Sequence, residues 1–385
     1  MPTIPDDRDV RFGDDAVLEM AQLVSGFDGR RAVLICGQNA FELSGADRCL
    51  GDLKQVAEVR RWSEFKPNTD AADLIVGLRI IEEFQPDTIL GVGGGSAMDM
   101  AKLLCAYRGV VDADKLHDAI RAGEPVTRRD MRLVLAPTTS GSGSEATHFA
   151  VVYIGEDKFS IAGPAMLPDT VLLDPKLTRS ASPYQRATSG IDAVAQAVES
   201  LWAAGSSDAS RGYARDALNL LVSALPAFVA SGDAESARDM SAGSHLAGRA
   251  IDVSKTTAAH ALSYGVTKSY GVSHGHAVAL TLGGFIAAHA DADPGRLQPS
   301  VSADTHAAAM RSILDAFGAD SGEAARDRFV ELAGSCGLSL KLPDFGIGTR
   351  EQVAELTARV NVERLGNNPV SFTVEELTDL VAEGL

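Results

Sequence analysis

The sequence predicts an α/β domain followed by an all-helical one, and three observations carry that expectation. Short apolar runs alternate with amphipathic helical text through the first half of the chain. One of those runs ends in a cluster of glycines, and beyond about Ser182 strand-like text gives way to long Ala- and Leu-rich segments. Alternation of this kind means βαβ units, and so a parallel sheet covered on both faces. A chain of 385 residues also exceeds what one hydrophobic core ordinarily serves.

Taken in order, RAVLIC at Arg31–Cys36 stops at Gly37, TILGV at 88–92 runs into Gly93, Gly94 and Gly95, and RLVLA at 132–136 ends at Pro137. Short apolar runs bounded by Gly or Pro suit buried parallel strands. Ala71–Phe84 places Leu74, Leu78 and Ile81 on one stripe and reads as a helix. Residues 149–154 and 159–162 flank Gly155-Glu156-Asp157-Lys158 and read as a hairpin, and 170–174 is the last strand, closed by Pro175. Segment 177–183 ends in Ser-Pro, a helix-start signal, and marks the boundary between domains. Helices are expected at 191–203, 211–229, 239–251 and 307–317, with 291–304 as a surface loop.

The charge balance narrows the function. With 52 acids against 35 bases the net charge is −17. Such a surface repels phosphate backbones and argues against nucleic acid as a partner, while a local basic pocket can still hold a small anion. No run of 18 apolar residues is present, so no membrane span is expected. Residues 1–9 are acidic and polar, without the pattern of a secretory signal, which suits the cytoplasm. Cys36, Cys49, Cys105 and Cys336 are widely spaced and form no CxxC, as expected of buried thiols in a reducing compartment.

Two loops and one cluster carry chemistry. In GVGGGSAMDMAK, residues 91–102, a strand enters glycines and a helix follows. Glycines let backbone N–H groups approach a pyrophosphate, and the helix N-terminus adds a favourable dipole. The text departs from GxGxxG, because Ser96 stands at the third glycine position, and a tight turn with a capping serine is the alternative. PTTSGSGSE at 137–145 offers hydroxyls and glycines for the far side of a dinucleotide, or is merely a flexible loop. In SGIDAVAQAVES, Asp192 and Gln196 lie four apart on one helix face, and His260 and His274 follow 14 apart. One carboxylate and two imidazoles with an open position suit a catalytic divalent metal, whereas each histidine alone reads as a satisfied core residue.

GGGSAMDMAK, PTTSGSGSE, the helix of Asp192 and the HALSY…SHGHAVAL block together resemble the iron-containing (group III) alcohol dehydrogenases, over roughly 91–282 with a looser FKPN at 65–68. The resemblance implies the fold shared with dehydroquinate synthase. Residues 1–180 would form a Rossmann-like dinucleotide-binding α/β domain, and 181–385 a helical domain for metal and substrate. It further implies NAD(P)H, a divalent metal (Fe²⁺ or Zn²⁺), a small aldehyde or alcohol substrate and a homodimer. Carried over, Gly94, Gly95, Ser96 and Asp99 would serve the pyrophosphate, and Thr138, Thr139, Ser142 and Lys158 would contact the dinucleotide. Asp192, His260 and His274 would bind the metal, with Gln196 where the family usually has a histidine. An amide oxygen is a harder and weaker donor than imidazole for such cations. A further family histidine is here Tyr264, whose phenol would relay a proton or line the pocket.

Gln196, the Lys255-Thr256-Thr257 triplet and the HGH at His274–His276 resemble the phosphonoacetaldehyde reductases. In that subgroup Lys255, Thr256, Thr257 and His276 would meet a phosphonate dianion, and Lys255 would take part in catalysis. The bland reading of Lys255 is a solvated lysine at a helix end. The rival functions are a general short-chain alcohol dehydrogenase, a sugar-phosphate cyclase and a non-catalytic dinucleotide-binding protein. The turn at 37–39 would face the adenosine ribose, where an acid would bind the 2′-hydroxyl and repel a 2′-phosphate. Gln38 does neither, so the sequence leaves NADH and NADPH both open.

Overall fold

The computed structural model describes residues 8–360 and 365–385, so most of the acidic N-terminal segment lies outside the described residues. The chain divides into two compact units, Met1–Ala181 and Ser182–Leu385. An α/β unit is followed by a helical one, which is the fold class expected from the sequence.

The first unit is built on a six-stranded sheet in the order β1-β8-β5-β4-β2-β3. Its strands are β1 (Asp9–Phe12), β2 (Arg31–Cys36), β3 (Glu58–Trp62), β4 (Thr88–Gly93), β5 (Arg132–Pro137) and β8 (Thr170–Leu173), and all pair in parallel. A separate antiparallel hairpin joins β6 (Phe149–Ile154) to β7 (Asp157–Ala162). The outermost strands β1 and β3 escaped the sequence reading. β1 buries none of its residues and β3 buries only Trp62. A strand at a sheet edge needs little apolar text, so neither forms an apolar run.

The central strands are apolar along their whole length because both faces are covered. Val33, Ile35, Ile89, Leu133 and Leu135 pack into one core with helices α1 (Ala71–Phe84) and α2 (Gly95–Ala106). The alternating residues Ala32, Leu34, Leu90, Val92, Val134 and Ala136 enter a second core with Met20, Phe41 and Leu53. The register pairs Cys36 with Val92 and Gly93 with Pro137. The ends of β2, β4 and β5 are therefore level, and the turns that follow them share one edge of the sheet. Gly91 allows α2 to lie close on β4, since a Cβ there would stand 2.6 Å from Leu135 Cδ2 and 2.9 Å from Ala101 Cβ.

The second unit is organised around α3 (Pro183–Trp202), which is buried along nearly its whole length. It begins at the Ser-Pro start signalled in the sequence, ahead of the Ala-rich text from residue 191: Ser182 caps it by accepting from Gln185 N, and Pro183 occupies the first turn. Packed on it are α4 (Asp208–Ser231), α5 (Ala234–Ser254) and α7 (His274–Ala290), and α6 (Ala258–Tyr270) precedes α7. Gly190 lets α4 and α5 approach, since a Cβ there would lie 2.3 Å from Leu225 Cδ1 and 2.8 Å from Met240 Cε. Among the described residues no helix is long and apolar enough to cross a membrane. All four cysteines are buried and free.

Candidate metal centre and dinucleotide loop

The helical unit gathers the expected metal donors at three helix positions. Asp192 and Gln196 sit one turn apart on α3, His260 lies in the first turn of α6, and His274 opens α7. Gly275 makes this possible. A Cβ there would stand 2.0 Å from Thr188 O and 2.8 Å from Asp192 Cβ, so only glycine lets the start of α7 rest on α3.

Two imidazoles converge on one carboxylate oxygen. His260 Nε2 is 3.4 Å and His274 Nε2 3.7 Å from Asp192 Oδ1, and one donor atom from each of the three residues lies within 4.8 Å of the others. Gln196 Nε2 donates to Asp192 Oδ2 at 3.1 Å, which leaves its carbonyl oxygen as the atom with which it would bind a cation. His260 Nε2 is buried without a hydrogen-bond partner. Such an orphan costs roughly 1–3 kcal/mol, and a cation shared with Asp192 would remove that penalty. The residues present therefore fit a divalent metal.

Both rings are turned so that Nε2 faces the Asp192 carboxylate, where it would offer a lone pair to a cation once its proton is displaced. Ser263 donates its hydroxyl proton to His260 O at 2.8 Å, so its oxygen is left to accept from His274 Nδ1 at 3.3 Å. His260 Nδ1 meets Glu199 Oε2, a residue that sequence reasoning missed. Glu199 is wholly buried, and its Oε1 accepts from Thr257 Oγ1 and Ala259 N at 2.9 Å each. Burial alone would lower the pKa of His260, but the Glu199 and Asp192 carboxylates outweigh it and hold the pKa well above its ordinary value. A metal entering the site would displace that proton. The signal for Glu199 was its place two turns after Asp192 on the same buried, alanine-rich face.

Carboxylates behind metal-binding histidines fix ring orientation, and their loss costs roughly 10–100-fold in metal affinity. Glu199→Gln is expected to weaken Zn²⁺ or Fe²⁺ binding by about that factor with the fold retained. Equilibrium metal titration of the purified variant checks this, and an unchanged affinity would reduce Glu199 to a packing residue.

The structure corrects two residues expected at a phosphonate. Thr257 is fully buried; its hydroxyl accepts from Trp202 Nε1 at 2.9 Å and donates its one proton to Glu199, leaving no donor for an anion. His276 Nε2 donates to Ser339 O at 2.7 Å while Nδ1 faces the Tyr184 hydroxyl at 3.3 Å. Burial lowers the His276 pKa. Tyr264 lies where a relay could use it, with its ring stacked on His274 at 6.0 Å between centroids.

Lys255 follows α5 with φ 60° and ψ −179°, a backbone region used almost only by glycine. Neighbours hold it there. Lys255 N donates to Ile251 O at 3.0 Å, Ser254 Oγ donates to Lys255 O at 2.9 Å, and Asn367 Nδ2 bridges Ser254 O and Thr256 O at 2.8 and 3.0 Å.

In the α/β unit, Gly94 caps α2, so the N–H groups of its first turn, Gly95 and Ser96 included, face out beyond β4. The second loop closes on it. Thr138 N donates to Gly93 O at 2.9 Å, and a Cβ at Gly95 would stand 3.0 Å from Ser142 Oγ. A Cβ at Gly94 would meet only Thr139, at 3.6 Å, so the space above the loop is open. An open, glycine-walled helix start fits a pyrophosphate. Ser96 Oγ accepts from Asn68 N at 3.1 Å, tying the FKPN segment to this helix start.

Asp99 has a different place from the one the resemblance implied. It is half-buried and accepts from Ser144 Oγ and, at 3.0 Å, from Val151 N, so it braces the second loop rather than pointing at a phosphate. Lys102, also missed, is fully buried and donates to Ser144 O, to Thr147 O at 2.7 Å and to Phe149 O at 2.9 Å. Lys158 is exposed on β7, and Gln38 lines a cavity beyond β2.

A helix-capping glycine loop on a parallel sheet, with a carboxylate–imidazole cluster on buried helices of the same chain, defines the metal-dependent dinucleotide oxidoreductases as the protein's class. Residues 7–175 match "Iron-containing alcohol dehydrogenase" and residues 186–385 match "Fe-containing alcohol dehydrogenase family, C-terminal". The chain belongs to the iron-containing alcohol dehydrogenase family. It is 31% identical to the phosphonoacetaldehyde reductase of Streptomyces viridochromogenes over 79% of this chain and 78% of that one. It is 37% identical to long-chain-alcohol dehydrogenase 1 of Geobacillus thermodenitrificans, over 51% of this chain and only 50% of that enzyme. The sulfoacetaldehyde reductase of Bifidobacterium kashiwanohense, solved with NAD⁺, is similar with a TM-score of 0.87 and 27% identity, covering 100% of this chain and 98% of that one.

Proposed function

We propose that the protein is an NAD(P)H-dependent reductase of a small anionic aldehyde, with phosphonoacetaldehyde, reduced to 2-hydroxyethylphosphonate, as the substrate. The observation behind this reading is Lys255, a cation held in a glycine-only backbone conformation five residues before the metal ligand His260. Strain of this kind costs of order 1–3 kcal/mol and collects where function requires it. The likeness to the Streptomyces reductase over four-fifths of the chain supports the same substrate.

Asp192, Gln196, His260 and His274 would hold the cation, and Asp192 brings the only negative charge of the four. When bound, such a cation polarises a carbonyl and offsets the charge that develops on its oxygen. Glu199 and Ser263 keep both imidazoles turned for this task. The start of α2 and the 137–145 loop would hold the pyrophosphate, and so would orient the nicotinamide for hydride transfer. Lys255, with Thr256 beside it, pairs with the phosphonate. The product hydroxyl takes its proton from Tyr264 or from water.

Lys255→Gly tests the reading, because glycine accepts φ 60° without strain and the fold should be at least as stable as in the wild type. Loss of a charge-assisted contact worth roughly 1.5–3 kcal/mol predicts a fall of about tenfold to a hundredfold in kcat/KM for phosphonoacetaldehyde. Turnover of acetaldehyde should barely move. Equal losses on both would remove Lys255 from the substrate. A wild-type enzyme that prefers acetaldehyde would leave a general short-chain alcohol dehydrogenase. Sulfoacetaldehyde is the second reading, supported by the full-length likeness to the Bifidobacterium reductase, and the same assay ranks it.

A further inference from the structure

We propose that the Arg61–Glu42 pair selects the dinucleotide, with Glu42 occupying the place a 2′-phosphate would need and so favouring NADH over NADPH. The proposal deepens the cofactor reading above and rests on it. In open parallel sheets a dinucleotide lies across the carboxyl ends of the strands, with the pyrophosphate at the glycine loop and the adenosine ribose beyond a neighbouring strand. Here the glycine loop follows β4, and β2 is its neighbour with its end level. The two turns adjoin, since a Cβ at Gly93 would stand 3.6 Å from Gly37 N. Beyond that turn a cavity of about 810 Å³ is lined by Gln38, Asn39, Glu42, Arg61 and Trp62, among others. Its size and place suit an adenosine ribose.

Arg61 is built into this cavity. It comes from β3, lies over the Phe41 ring at 5.0 Å, and donates from Nε to Cys36 Sγ at 3.1 Å and from Nη2 to Gln38 O at 3.2 Å. Its outer edge forks onto Glu42, Nη1 on Oε1 and Nη2 on Oε2. That two-pronged face is the one a guanidinium offers to a phosphate. Glu42, in the single helical turn Ala40–Leu43, has a side chain about half exposed, at 48%, against 32% for Arg61. The guanidinium is thus the fixed member of the pair and the carboxylate the replaceable one.

Two consequences follow from the charges. A ribose 2′-hydroxyl can donate to Glu42, which supplies the acid that Gln38 does not. A 2′-phosphate is repelled by Glu42 and must displace it to reach Arg61. Removing Glu42 would vacate the fork and turn the same pocket toward NADPH.

The test is direct binding. NADH and NADPH are titrated separately into the full-length protein and followed by nicotinamide fluorescence, with thermal melting as the check of folding. The wild type should bind NADH more tightly. Glu42→Ala should tighten NADPH by about tenfold or more and weaken NADH, and Glu42→Gln should do the same to a smaller degree. Adding Arg61→Ala to Glu42→Ala should abolish the gain. A wild type that prefers NADPH, a Glu42→Ala variant with an unchanged ratio, or a gain that survives loss of Arg61 would each overturn the proposal while leaving the cofactor reading intact. Failure of the wild type to bind either dinucleotide would overturn both.

Discussion

His260→Ala is expected to abolish turnover and to strip the protein of metal while leaving NADH binding intact. His260 is the proposed ligand whose Nε2 is buried, without a hydrogen bond, and aimed at the Asp192 carboxylate. Its loss removes one of only two imidazoles and opens the site to solvent. Gln196 cannot make up the deficit, because an amide oxygen is a weak donor for Fe²⁺ or Zn²⁺. Lewis-acid assistance worth several kcal/mol corresponds to a rate loss of about a thousandfold or more. Metal content by elemental analysis, steady-state rates and an NADH titration on the same preparation check it. Wild-type activity of the variant in metal-free buffer would refute the metal mechanism.

Gly94→Val should give the second large effect, on the other unit of the protein. Gly94 has φ −78° and ψ −175°, which a branched residue can adopt, and its Cβ would meet only Thr139 at ordinary contact distance. The fold should therefore survive, with a melting temperature close to the wild type. The valine side chain, however, fills the space above the first N–H groups of α2, where the pyrophosphate should lie. NADH affinity is expected to fall by about a hundredfold or more, since that contact joins charge-assisted hydrogen bonds to the helix dipole. Metal content should not change. An NADH titration indistinguishable from the wild type would place the dinucleotide elsewhere.

Much of the architecture was legible because it depends on pattern. β2, β4 and β5 read as apolar runs because each is buried on both faces, and α1 read as a stripe because one side of it faces a core. β1 and β3 did not, since an edge strand can be held by backbone hydrogen bonds with almost no apolar residue. The cluster proposed to hold the metal was legible for a different reason. Asp192 and Gln196 share a helix face by their spacing alone, and the histidines stood out as rare residues in motifs already resembling a family.

The partners of those residues were not legible. Glu199 shares a helix face with Asp192 two turns on, but only folding brings it behind His260 Nδ1. Asp99 and Thr257 looked like ligand contacts because they lie beside residues expected to be; the structure turns one to Ser144 and Val151 and the other to Trp202 and Glu199. Residue type and local spacing determined the class of fold, the glycine loop and the candidate metal donors, because periodicity and ligand chemistry are written along the chain. Tertiary structure decided which atoms each side chain spends its hydrogen bonds on: Glu199 on His260, Lys102 on three carbonyls, Arg61 on Glu42. These pairings join residues from 19 to 61 positions apart, across separate elements, and no local signal encodes a contact that exists only once those elements have packed.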